Sequence, residues 1–262
     1  MADTPVLLRH DQAGVTTLTL NRPAQFNALS EELLDAVQTE LDQIATDNSV
    51  AVIILAASGR AFCAGHDLKE MRKQPDETYY RKLFAQCGHM MQTLGKVPQP
   101  VIARVQGMAT AAGCQLVAAC DLAIAADDVQ FAVSGVNLGL FCSTPSVALS
   151  RNVSRKRAFE MLITGEFIDT ATARDWGLIN DAVPATQLDK RIEELTSAIL
   201  EKPAVAIQTG KQMFYQQLEK DLAGAYEYAG EVMACNMMAE DTTEGIDAFI
   251  EKRPPSWARD SS

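Results

Sequence analysis

The sequence predicts an α/β body over residues 1–185, followed by a helical region over residues 186–262. Three observations lead there. Residues 51–73 (AVIILAASGRAFCAGHDLKEMRK) read as a buried strand, a loop of small residues and a helix opening on Asp67. Residues 101–126 repeat that order, with Gly107, Ala109, Ala111, Ala112 and Gly113 at the helix start and a further strand from Asp121. Past Pro184 the pattern turns helical and stays so, broken at Pro203 and Pro254.

Each element has its own signal. Residues 6–20 (VLLRHDQAGVTTLTL) alternate loosely, with Ala13-Gly14 as the turn of a hairpin. Asn21-Arg22-Pro23 ends it, and Ser30 is placed to cap a helix in which Leu33, Leu34, Val37, Leu41 and Ile44 recur at helical spacing. Glu31 and Glu32 fall in its first turn, where the helix dipole favours them. Val52, Ile53 and Ile54 mark a strand covered on both faces. Gly59 and Gly65 punctuate the loop that follows, and Asp67 takes the capping position ahead of Leu68-Lys69-Glu70-Met71.

The backbone N–H groups around His66 are then expected to lie unpaired at a helix start, a place to hold a negative oxygen. An ordinary capped βα loop reads the same way. Residues 75–98 form a second helix, whose Met90 and Met91 suit either core packing or an adaptable pocket. The small residues at 107–113 allow backbone to approach a ligand, or a helix to pack tightly on a sheet. Two such loops together supply two backbone donors, enough for an oxyanion hole. Residues 129–143 are mostly apolar, with Gly135 and Gly139. An amphipathic helix ending at Gly165 follows, then a short helix at 170–174 stopped by Gly177, then a strand at 178–183.

Composition narrows the function classes. With 262 residues and 47% hydrophobic content the chain can bury a large core. A formal net charge of -11 argues against nucleic acid and anionic membrane as partners, since both need a basic face. Six cysteines (Cys63, Cys87, Cys114, Cys120, Cys142 and Cys235) form no C-x-x-C pair, and three histidines give no metal spacing, so no metal is expected. Reduced buried thiols, a start (MADTPVLLRH) without a basic or apolar leader pattern, and no transmembrane-length apolar run give the expectation of a cytoplasmic protein.

The windows taken together resemble the enoyl-CoA hydratase/isomerase (crotonase) superfamily. The resemblance is carried by Asn21-Arg22-Pro23 with Asn27-Ala28-Leu29, by residues 59–69 (GRAFCAGHDLK), by Pro100-Val101-Ile102-Ala103 with Gly107 and Ala112-Gly113-Cys114, and by Cys120-Asp121-Leu122-Ala123. It continues through Phe131, Asn137-Leu138-Gly139, Ala171, Gly177-Leu178, Phe249 and Lys252-Arg253. Within the superfamily, residues 109–125 and 135–151 look like the enoyl-CoA hydratase domain-containing protein 3 subgroup, whose chemistry is poorly defined.

That resemblance implies a spiral of ββα units with a C-terminal helical trimerisation region, assembled as a trimer or a dimer of trimers. It implies a coenzyme A thioester as substrate and no separate cofactor. The thioester carbonyl would sit between the backbone N–H groups of His66 and Ala112. Ala64, His66, Asp67, Leu68 and Lys69 match the segment that lies along coenzyme A, and Phe249 and Lys252 match residues that reach its nucleotide end, often across a subunit boundary. Gly135 and Cys142 are also counted among the thioester-binding positions, Cys142 falling near a position where acyl-CoA decarboxylases of the superfamily have a tyrosine.

The two glutamates that hydratases of this family use fall at Gln115 and Gly135. Neither can accept a proton, and such groups each supply about 10²–10⁴ in rate, so hydration of a 2-enoyl thioester is doubtful. The remaining possibilities are an acyl-CoA decarboxylase or thioesterase, in which His66 and Gln115 act, or a non-catalytic acyl-CoA-binding protein. Cys142 has no cationic neighbour in sequence to lower its pKa and reads as a buried thiol.

Overall fold

The computed structural model describes residues 4–257. β1 (Leu7–Gln12) and β2 (Val15–Leu20) form the expected hairpin. Its turn residues, Ala13 and Gly14, both have positive φ (50° and 85°), the conformation that a tight two-residue hairpin demands. α1 (Glu31–Ile44) begins where expected, with the Ser30 hydroxyl accepting the Leu33 N–H at 3.2 Å. Its leucines, with Val37 and Ile44, are buried in the core, where α1 packs beside the helix of residues 77–96.

Three successive units then share one plan. Each contributes a strand to a large sheet, a three-residue strand to a small sheet, and then helix. The first is β3 (Val52–Ala57), β4 (Ala61–Cys63), α2 (Leu68–Lys73) and α3 (Glu77–Lys96). The second is β5 (Val101–Val105), β6 (Met108–Thr110) and α4 (Ala112–Ala119). The third is β7 (Leu122–Ala126), β8 (Gln130–Ala132), a 3₁₀ turn (Ser134–Leu138) and α5 (Ser143–Asn152).

α6 (Arg155–Thr164), β9 (Ile168–Asp169), α7 (Thr170–Asp175) and β10 (Asp181–Val183) complete the body. The large sheet runs β1-β2-β3-β5-β7-β10 and the small one β4-β6-β8-β9. β2, β3, β5, β7 and β10 are mutually parallel, as are β4, β6 and β8. The chain therefore winds as a spiral of ββα units, as the sequence leads one to expect.

The short strands, the small sheet they build and α5 were not anticipated from sequence. Three residues are too few for an alternation signal. The strand expected at 178–183 is shortened, because the Leu178 N–H turns back to the Ala173 carbonyl at 2.8 Å after the left-handed Gly177.

Past Pro184 come α8 (Leu188–Leu200), α9 (Ala204–Leu218), α10 (Leu222–Asn236) and α11 (Glu240–Glu251). The helical pattern read there, broken at Pro203, breaks also at Asp221, whose carboxylate caps α10 by accepting the Gly224 N–H, and again between α10 and α11. α9 is tied to the body by Lys211. Its ammonium donates to the carbonyls of Leu94 (2.8 Å) and Gln99 (2.9 Å) and to Asp121 Oδ2 (2.6 Å). Asp121 also accepts the Tyr215 hydroxyl and the Val101 N–H. The Lys211 ammonium thus has three acceptors, and both Asp121 carboxylate oxygens are engaged.

Candidate active site

The site is made where the loop after β4 meets the loop after β6. Leu29 lies beside His66 as a parallel bridge. Its N–H donates to the Gly65 carbonyl at 2.8 Å and its carbonyl accepts the Asp67 N–H at 3.1 Å. In that pairing the straddled residue turns its own N–H to the opposite side. The His66 N–H has no hydrogen-bond partner among the described residues.

Asp67 fixes the loop from below. One carboxylate oxygen caps α2 through the Lys69 and Glu70 N–H groups (3.1 and 3.2 Å), and the other meets Arg22 Nη2 at 2.9 Å. Burial pushes the Asp67 carboxyl up, but the Arg22 bond and the two capped N–H groups outweigh it and hold the pKa below the usual carboxylate range. Asn27, fully buried, accepts the Arg22 N–H and donates to the carbonyls of Ser58 and Ala61. The turn read at Asn21-Arg22-Pro23 is thus the buttress of the His66 loop. Its sequence signal was the motif itself, without a role attached.

On the other side, α4 starts at Ala112. Ala111 holds φ 49° and ψ −120°, a conformation that is strained for any residue with a Cβ. That ψ sets the plane of the next peptide and hence the direction of the Ala112 N–H, which also has no partner among the described residues. The two loops touch. The Thr110 hydroxyl donates to the Ala64 carbonyl at 3.1 Å, and a Cβ on Gly65 would come within 3.3 Å of the Ala112 nitrogen. A Cβ on Gly113 would overlap the Cys63 carbonyl oxygen, so only glycine lets α4 start this close to β4.

Around these donors the side chains are neutral. The His66 ring meets the Phe84 ring edge-on at 5.4 Å, and its Nε2 is buried without a partner. Desolvation lowers its pKa to about 4, so the ring is uncharged at pH 7. Gln115 is 4% exposed, with Oε1 unpartnered. A side chain starting at Gly135 would meet the Cys142 sulfur at 2.7 Å and the Leu140 carbonyl oxygen at 2.5 Å. The Gly135 N–H donates to that sulfur at 3.3 Å. Cys142 is buried, and burial pushes its thiol pKa up despite that bond, leaving it protonated.

Ala64, His66 and Ala112 are therefore brought together, with Gly135 and Cys142 joined in a second cluster. Leu68 and Lys69 lie exposed on α2. Phe249, 85% exposed on α11, lines a surface cavity of about 390 Å³ with Pro203, Val205 and Trp257. Lys252 ends that helix in a left-handed conformation, exposed. None of the residues lining that cavity belongs to the two loops.

Comparison with known proteins fits this geometry. A profile of the enoyl-CoA hydratase/isomerase family matches residues 10–260. The crystal structure of an enoyl-CoA hydratase from Mycobacterium smegmatis superimposes with a TM-score of 0.96 at 57% identity, covering 97% of this chain and 99% of that one. Human enoyl-CoA hydratase domain-containing protein 3 does so with a TM-score of 0.93 at 41% identity, covering 96% and 100%. The mitochondrial enoyl-CoA hydratase domain-containing protein 3 of Xenopus laevis is 42% identical over 254 residues, 97% of this chain and 86% of that protein.

The expectation of a cytoplasmic protein is corrected by these relatives. The Xenopus protein and four further vertebrate relatives are named as mitochondrial. Buried reduced thiols are equally at home in both compartments, so they could not separate the two. No helix among the described residues is long and apolar enough to cross a membrane.

Proposed function

The chain belongs to the enoyl-CoA hydratase/isomerase family, and from that premise we propose that it is an enzyme acting on a coenzyme A thioester through charge stabilisation alone. The thioester oxygen lies between the N–H groups of His66 and Ala112. Charge that builds on it as an enolate or tetrahedral species is held by two fixed dipoles in a buried site, each worth roughly 10²–10³ in rate. One observation carries the reading. Two unbonded N–H groups come from two loops that the Thr110–Ala64 bond and the bare Gly65 hold against one another.

The neutral surroundings support the second half of the proposal, that no carboxylate here moves a proton at the acyl end. Gln115 is an amide, and Cys142 fills the space in front of Gly135. Coenzyme A enters only as part of the substrate, along residues 64–69. The exposed apolar side chains of α9, α10 and α11, Phe214, Leu222, Met233 and Phe249 among them, support assembly through this region as a trimer or a dimer of trimers.

The test is twofold. Calorimetry should show saturable binding of butyryl-CoA. Crotonyl-CoA should keep its conjugated thioester absorbance, with no loss above background. The mycobacterial neighbour bears the name of a hydratase, and this assay sets that activity against the proposal. Absence of thioester binding, or rapid hydration, would overturn it.

A further inference from the structure

Two carboxylates, Glu31 and Glu70, meet where α1, α2 and α3 converge. Each sits in the first turn of its helix, Glu31 on α1 and Glu70 on α2. One Glu70 oxygen accepts the Glu31 N–H at 3.1 Å, which sets two like charges side by side. Lys82 stands 3.8 Å from Glu31 Oε1, beyond hydrogen-bonding distance, on a side chain that is 77% exposed. A contact of that kind offsets little of the repulsion and is screened by salt. The Glu31 side chain is itself 30% exposed, so solvent ions reach the pair.

Tyr79, in the first turn of α3, adds a third group. The residue is 9% exposed, and its hydroxyl is buried with no hydrogen-bond partner among the described residues. Burial and the charges of Glu31 and Glu70 push its pKa up, so it faces the pair as a neutral hydroxyl at pH 7. A buried hydroxyl without a partner is costly, which points to a ligand that supplies one. No three acids, histidines or cysteines gather as a metal cluster among the described residues. An all-oxygen set with two charges suits a hard divalent ion, held weakly, and not zinc. No sequence spacing announces such a set, because its members come from three helices.

We propose that Glu31 and Glu70 bind a calcium ion, and that the Tyr79 hydroxyl bonds to a water of its shell. Calcium takes about 6–8 oxygens in flexible geometry, whereas magnesium demands a near-ideal octahedron and sheds water reluctantly. The ion replaces the repulsion between the carboxylates with a bridge from α1 to α2. Glu31 lies two residues past Leu29, and Glu70 four past His66, so the ion fastens both sides of the Leu29–His66 bridge.

Terbium luminescence, excited through the aromatic side chains and displaced by calcium, magnesium or potassium chloride, tests this. Wild-type emission should saturate and be displaced by calcium at about 10⁻⁴–10⁻³ M, the range of weak calcium sites. Magnesium should need at least ten times more, and potassium at equal ionic strength should not compete. Glu31→Gln and Glu70→Gln keep the side-chain shapes and should each weaken calcium about ten-fold or more, through loss of ligand charge. Glu32→Gln, exposed one residue along α1, should leave it unchanged. Tyr79→Phe should weaken it less than either glutamate change. No calcium displacement by about 10 mM, ten times the weakest affinity expected, would overturn the site. So would equal losses in Glu32→Gln and Glu70→Gln, which would mark a diffuse effect of an acidic surface. Tighter binding of magnesium or potassium than calcium would overturn the choice of ion. Should Glu70→Gln fail to fold, Glu31→Gln against Glu32→Gln decides. None of these readouts needs a thioester.

Discussion

Replacing Gly113 with alanine puts a methyl group where the wall of β4 already stands. The new Cβ overlaps the Cys63 carbonyl oxygen and lies 2.7 Å from its carbonyl carbon and 2.8 Å from its Cβ. Ordinary carbon contacts are about 3.5–4.0 Å, so the start of α4 must back away by roughly 1 Å. Overpacking of this kind costs about 1–3 kcal/mol, or roughly 2–12 °C in melting temperature for a chain of this size. Because Ala112 is the preceding residue, its N–H moves with the helix start. A misplacement of that order at a reacting group can cost about 10²-fold.

Gly95→Ala is the matched control. It lies inside α3 with nothing within 4 Å of the added methyl, so relief of glycine's helix penalty should stabilise the protein by about 0.5–1 kcal/mol. Thermal unfolding of both variants, with butyryl-CoA titration of each, reads the contrast. Wild-type stability and affinity in Gly113→Ala would refute the close approach of α4 to β4 on which the site depends.

Further outcomes follow from the same contacts. Lys211→Met leaves Asp121 short of its cation and two carbonyls bare, and should destabilise by about 3–5 kcal/mol in denaturant unfolding. A loss under 1 kcal/mol would show that α9 is not anchored there. His66 has a folded pKa of about 4 against an ordinary 6.5, so the unfolded chain takes up the proton first. Its contribution is complete above pH 6.5 and is lost as pH falls toward 4, by about 2–3 kcal/mol at pH 4.5. Stability measured at pH 7 and 4.5 should therefore diverge less in His66→Asn than in the wild type, and equal divergence counts against a buried neutral ring. Arg22→Ala removes the bond that holds Asp67, and should weaken butyryl-CoA binding while Arg22→Lys restores part of it. Unchanged binding in Arg22→Ala would remove the buttress from the account.

The sequence carried local chemistry well and distant chemistry poorly. Ser30 and Asp67 cap their helices as residue type and position suggest, and Ala13-Gly14 turns the hairpin. These are signals written within four residues of where they act. β4, β6 and β8 were missed because three residues cannot show a period. The Ala111 strain was not legible either, since nothing in a run of alanines marks which one takes a positive φ.

The Lys211–Asp121 joint connects residues 90 apart in sequence, and no local pattern announces it. At the site, sequence showed that the acids are absent at 115 and 135. Only the structure shows that the second position is also blocked, by the Cys142 sulfur and the Leu140 carbonyl.

The central claim is that two backbone N–H groups, from His66 and Ala112, draw charge onto the thioester oxygen. Isotope-edited infrared spectroscopy of butyryl-CoA labelled at the thioester carbon tests it directly. The account predicts that the bound carbonyl stretch moves to lower frequency than in water. Saturated binding with the carbonyl stretch at or above its free value would contradict it.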